Sequence, residues 1–187
     1  LVVAVEANPS TVSTLCRHLA MNDIQNVAVV DVAAWDEPVR LVLEDPNQRQ
    51  DGGGTRTLPA SNGDGTVQAV RLDAHQPLLD LLAEAGRLDL VKVDVEGADI
   101  HALRGMAGLL EEYRPTLLIE CHDLYGYYER ADLEQTLTDL GYRFEIAASV
   151  GSKAARNRPT RMLASRSSWA LAVNRSVSSV SRPSVLT

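Results

Sequence analysis

The 187-residue chain is poor in cysteine: it has two, Cys16 and Cys121, and neither belongs to a CxxC pair. That leaves no zinc framework and predicts reduced thiols in a cytoplasmic protein, with a single bridge as the alternative. No apolar run approaches the ~20 residues of a membrane span, and no signal-peptide pattern opens the chain. A positive balance is lacking too. The formal net charge is -7, whereas nucleic-acid binders usually carry a basic face, so neither nucleic acid nor a membrane is the expected partner. A local basic cluster does occur at Lys153, Arg156, Arg158, Arg161 and Arg166. There is no internal repeat. An ordinary beginning is also missing: Leu1-Val2-Val3-Ala4-Val5 already has the pattern of a buried strand, so the chain reads as N-terminally trimmed.

What is present is an ordinary globular composition, 45% hydrophobic and 23% charged, at a length that suits one domain with a substantial core. The first five residues are apolar and β-branched, as in a parallel strand covered on both faces. Asn8-Pro9 opens a helix that stops at Asn22, and an apolar strand follows over 27–32. Strand, helix, strand at this spacing is a βαβ unit. Residues 37–72 read as a β-hairpin insertion with glycine-rich loops, its last segment alternating like an exposed strand. The α/β rhythm then returns: helix 77–85, strand 88–95, helix 98–110, strand 116–120, helix 131–140, strand 142–147, a basic loop over 151–161 and a last strand 169–173. The expected fold is α/β, a mostly parallel sheet closed by an antiparallel C-terminal hairpin, in one domain over 1–173 with a Ser-rich tail over 174–187.

In such sheets the ligand sits at the carboxyl ends of the strands. Acids gather there. Glu6 follows the first strand, where a carboxylate either accepts ribose hydroxyls or caps the helix at Pro9. Asp31, Val32 and Ala33 close the second strand, placed for an adenine, with a solvated loop acid as the alternative for Asp31. Through 91–96 charges alternate with valines, so Lys92, Asp94 and Glu96 share one face. Burying three charges is costly unless they pair or line a polar cleft; a Lys92–Asp94 or Lys92–Glu96 ion pair is the competing reading. Glu120-Cys121-His122 ends the next strand. His122 is a candidate base for a substrate hydroxyl, with Glu120 orienting it and Asp94 nearby. Glu96 and Tyr125 are candidates for holding that substrate, and Tyr127 and Tyr128 follow. The spacing of these acids and His122 matches no metal motif.

The run Lys92-Val93-Asp94-Val95-Glu96-Gly97-Ala98-Asp99, then Leu103-Arg104-Gly105, Arg114-Pro115 and Ile119-Glu120-Cys121-His122, resembles the FkbM methyltransferase family. That family shows K-[IV]-D-[VI]-E-G-[AH]-[ED], then L-x-G, then R-P before a strand ending in E. Glu6-Ala7-Asn8-Pro9 is similar to its E-P-N-P, with Ala7 in place of proline. Asn22 to Val27, Ala33-Ala34 and Leu72-Asp73 fit its pattern as well, so the resemblance covers about residues 1–145. It implies a Rossmann-like sheet and an S-adenosylmethionine-dependent enzyme that O-methylates a small molecule, polyketide or sugar. It also implies that Glu6 meets the ribose of that cofactor. The family's first strand and D-x-G-A-N-x-G loop are expected ahead of Leu1; without them a gap is expected mid-sheet, beside Glu6 and Asp94. An NAD-dependent enzyme is the main rival, disfavoured by the absence of a Tyr-x-x-x-Lys motif. A non-catalytic domain is the other.

Overall fold

The computed structural model describes residues 1–44, 56–59, 66–121, 128–149 and 168–174, with side chains over 1–44, 66–121 and 128–143. The tail beyond Asn174, the glycine-rich stretches and the basic loop lie outside the described residues. β1 (Val2–Val5) and β2 (Val27–Val30) pair in parallel, Val2 opposite Val27 and Val5 opposite Val30. The connecting α1 (Pro9–Met21) starts where it does because Asn8 Oδ1 accepts the Ser10 N–H at 3.0 Å and proline suits the first turn.

The apolar run 27–32 is not one strand. β2 ends at Val30, and the chain resumes as β3 (Ala33–Ala34) in a different sheet, parallel to β6 (Val67–Val70). Burial drives the switch. Val32, Ala33 and Trp35 are all under 8% exposed, and the Trp35 N–H continues the new ladder by donating to the Val70 carbonyl at 2.9 Å. The second sheet runs β3–β6–β4–β5, with β4 (Val39–Glu44) antiparallel to both β5 (Arg56–Pro59) and β6. β6, expected to be exposed, is therefore interior. Its alternation is real, but Val67 and Ala69 face a small core with Trp35 and Leu41.

The third sheet runs β7–β8–β10–β9. β7 (Leu90–Val93) and β8 (Thr116–Cys121) are parallel. β10 (Ser168–Asn174) inserts antiparallel between β8 and β9 (Tyr142–Ser149), which gives the expected closing hairpin. Helix α2 (Gln76–Ala85) precedes β7 and ends at Gly86 in the left-handed region.

The expected helix over 98–110 is two helices, α3 (Asp99–Gly105) and α4 (Ala107–Tyr113), divided at Met106. Two anchors break it. A Cβ on Gly105 would lie 1.9 Å from the Trp35 carbonyl oxygen, so α3 presses directly on the end of β3. Gly108 N–H donates to Asp73 Oδ2 at 3.0 Å, and Arg71 grips that carboxylate at 3.0 and 2.6 Å. Neither glycine favours a helix interior, so tertiary contacts decide. α5 (Arg130–Asp139) then packs over the main core, where Leu103, Leu110, Leu117, Ile119, Leu133 and Leu137 are wholly buried. The fold is α/β, with parallel pairs β1–β2, β3–β6 and β7–β8.

Candidate functional site

β1 pairs on one flank with β2, and β7 on one flank with β8; among the described residues nothing pairs with their other edges. A cleft of about 1080 Å³ lies between them. Its walls are the apolar lengths of the two strands, and Leu78, Leu82, Met106 and Leu109 line it too. At the carboxyl ends it turns polar, with Glu6, Asn8, Thr11, Lys92, Asp94 and Glu96, while Val32, Ala33 and Ala98 form an apolar patch.

Glu6 is fixed by two hydrogen bonds. Its N–H extends the β1–β2 ladder to the Val30 carbonyl at 3.0 Å. Its Oε1 accepts the Asn8 N–H at 2.7 Å. The cap of α1 is Asn8 rather than Glu6; the bond from the Asn8 N–H orients the Glu6 carboxylate through one of its two oxygens. Lys92 Nζ meets Asp94 Oδ2 at 2.5 Å, with the side chains 53% and 30% exposed. The ion pair is therefore real, and it sits on the cleft wall rather than in a dry core, where it is worth little to stability. Glu96 and Gly97 have φ of 50 and 97 degrees. A left-handed glutamate is strained by about 1 kcal/mol, and strain of this kind gathers at ligand sites.

Glu6, Val32, Ala33, Asp94 and Glu96 are thus brought to one cleft. Asp31 is not among its walls; it is exposed where the chain changes sheets. Glu120 is not either: β8 lies on the far side of β7, so this half-buried residue stands one strand away. His122 and Tyr125 lie outside the described residues. Among the described residues no group of three or more His, Cys, Asp or Glu is placed to hold a metal ion, and no helix is long and apolar enough to cross a membrane.

Sequence reasoning missed several residues. Asn8 was read only as a cap, yet it lines the cleft with Thr11. A second, smaller groove of about 290 Å³ runs between α3 and α5, past Gly97, His101, Arg104, Tyr128, Asp132 and Thr136. There His101 Nδ1 lies 2.9 Å from Asp36 Oδ1, and its ring stacks on Trp35 at 3.9 Å and 6 degrees. No local signal announces a pair 65 residues apart.

The family model for the methyltransferase FkbM domain matches residues 1–144. The chain belongs to the FkbM methyltransferase family. Both the cleft and the Lys92–Asp99 segment fall inside the matched span. The crystal structure of a methyltransferase FkbM from Methylobacillus flagellatus KT is similar with a TM-score of 0.51 and 16% identity, over 91% of this chain and 36% of that one. At that identity the likeness concerns the fold, the Rossmann-like sheet of a methyltransferase, and this chain spans about a third of that protein's length. No curated protein matches. The family implies a methyl donor.

Proposed function

We propose that this chain serves S-adenosylmethionine-dependent O-methylation of a hydroxyl on a small molecule, polyketide or sugar, in the cytoplasm. One observation carries the reading: a half-buried carboxylate, Glu6, oriented by Asn8 at the carboxyl end of β1, faces the same cleft as the apolar Val32–Ala33 patch. That pairing suits a nucleoside. The carboxylate accepts from ribose hydroxyls and the patch packs on adenine. When bound, S-adenosylmethionine supplies an electrophilic methyl group. The chain's own work is alignment, since an in-line displacement needs donor and acceptor held in one geometry. Asp94 and Glu96, at the end of β7, face the donor and the approaching acceptor.

Calorimetry on the full chain with S-adenosylmethionine and S-adenosylhomocysteine tests this. Glu6→Ala is expected to weaken binding by about 1–3 kcal/mol, the scale of lost charge-assisted hydrogen bonds. Folded protein that binds neither compound refutes the reading; unchanged affinity in the variant removes Glu6 from the site.

A further inference from the structure

We propose that the side-chain amide of Asn8 is a specificity-determining group of the cleft: the donor half of a reader for two neighbouring hydroxyls, with Glu6 as the acceptor half. The proposal rests on the methyltransferase reading above and narrows it. The ligand admitted is a ribonucleoside with both ring hydroxyls free, and a deoxynucleoside is turned away.

The first argument is the way Asn8 is held. Its Oδ1 accepts the Ser10 N–H at 3.0 Å and the Ser10 hydroxyl at 2.8 Å. A main-chain N–H can only donate, so the amide atom that faces it is the oxygen. The NH2 group therefore occupies the other end of a fixed amide. Among the described residues Nδ2 donates to nothing. Asn8 is half-buried, and it lines the cleft beside Glu6.

The second argument is that one turn sets both groups. Ser10 holds Asn8 at φ -85 and ψ 114 degrees, and from there the Asn8 N–H reaches Glu6 Oε1 at 2.7 Å. Glu6 has no cationic partner among the described residues. Carboxylate and amide thus form one rigid unit with accepting and donating capacity still open. A unit already ordered gives up little side-chain entropy when a ligand arrives. Thr11, three residues further, shares that side of α1 and lines the same cleft. Its hydroxyl likewise has no partner among the described residues.

The third argument is chemical. A carboxylate alone takes any hydroxyl. A carboxylate beside an amide N–H asks for two oxygens, one that gives a proton and one that accepts. A vicinal diol meets both demands: one hydroxyl donates to Glu6 and the other accepts from Nδ2. A ligand lacking either leaves a protein group unpaired, and a site built to bond a hydroxyl rejects the deoxy analogue for that reason. A phosphate on either hydroxyl would set like charge against Glu6 and is excluded as well. The Val32–Ala33 patch in the same cleft suits the base that such a ribose carries.

Calorimetry on the full chain decides it, with S-adenosylhomocysteine and its 2′-deoxy and 3′-deoxy analogues as probes. The variants are Asn8→Ser and Asn8→Asp. Both residues cap a helix about as well as asparagine, so α1 and its first turn are kept while the amide donor is lost. With the unvaried chain, loss of either hydroxyl is expected to weaken binding ~10-fold or more. With each variant, S-adenosylhomocysteine is expected to bind ~10-fold more weakly, and one deoxy analogue to bind as well as the parent compound. The penalty at the other hydroxyl, which belongs to Glu6, should remain. A residue that only capped α1 would weaken all three ligands by one factor. Both penalties intact in the two variants therefore overturn the proposal. An unvaried chain that binds all three compounds equally overturns it too and leaves the methyltransferase reading standing. Folded chain that binds none of them refutes that reading and this inference with it.

Discussion

Val2, Val3 and Val5 on β1 belong to the same apolar pattern as Leu117 and Ile119 on β8, yet the two strands end up in different surroundings. Val2 is 54% exposed and Leu1 65%, whereas Leu117 and Ile119 are at 0%. The helices differ likewise: α1 has no buried residue, while α5 buries Leu133, Thr136 and Leu137. Composition does not explain this. β8 has a neighbour on each edge, β7 and β10; among the described residues β1 has only β2, and its other edge is a wall of the cleft. A continuous apolar strand signals cover on both faces, and here β1 borders the cleft instead. The half around β8 is closely packed, and the half around β1 is open along the cleft.

The largest test of that contrast is a pair of truncations. Leu117→Ala is expected to destabilise by about 3–5 kcal/mol, from lost burial plus a cavity between two filled layers. Leu15→Ala, on the half-buried stripe of α1, is expected to cost about 1 kcal/mol, since that site already meets water. Urea denaturation measures both. Equal losses would mean that Leu15 is as closely packed as Leu117.

The joint between the sheets is the next place to press. In Gly105→Ala the new methyl meets the Trp35 carbonyl oxygen, a backbone atom that cannot swing aside. A loss of about 1–3 kcal/mol is expected, the range for overpacking. The ring-current shift of His101 over Trp35 should weaken with it. A variant of full stability with the stack intact would show that α3 is not locked to β3.

Much of this was legible from residues. Asn8-Pro9 announces α1 through the chemistry of capping. The alternation through Lys92–Glu96 announces a strand with one polar face, because charge at every second position matches the two-residue period of a strand and not the turn of a helix. Two features were not legible. Residues 27–32 read as one strand, since periodicity says nothing about which sheet a residue joins; burial of Trp35 decided that. Helical spacing continues through Met106, and only the anchors at Trp35 and Asp73 interrupt it. The Asp36–His101 pair escaped for the same reason. It is made by the sheet switch and the helix break together, and neither can be read locally.

The well-packed half also carries a defect, and it gives the smallest expected effect. Tyr142, at the start of β9, is wholly buried, and its hydroxyl has no hydrogen-bond partner among the described residues. A buried orphan of this kind costs free energy, so Tyr142→Phe is expected to stabilise the chain by about 1 kcal/mol near neutral pH. The pH dependence has a definite sign. Burial pushes the Tyr142 phenol above its ordinary range, with the nearby Arg114 charge opposing. The unfolded chain releases this proton near pH ~10, while the folded chain still holds it. The contribution is therefore full below pH ~10 and is lost as pH rises toward the raised folded value. Tyr142→Phe should thus lose less stability than the unvaried chain above pH ~10. A variant that is less stable at neutral pH, by thermal or urea denaturation, would show that the hydroxyl has a partner and that the packed half has no such defect at this position.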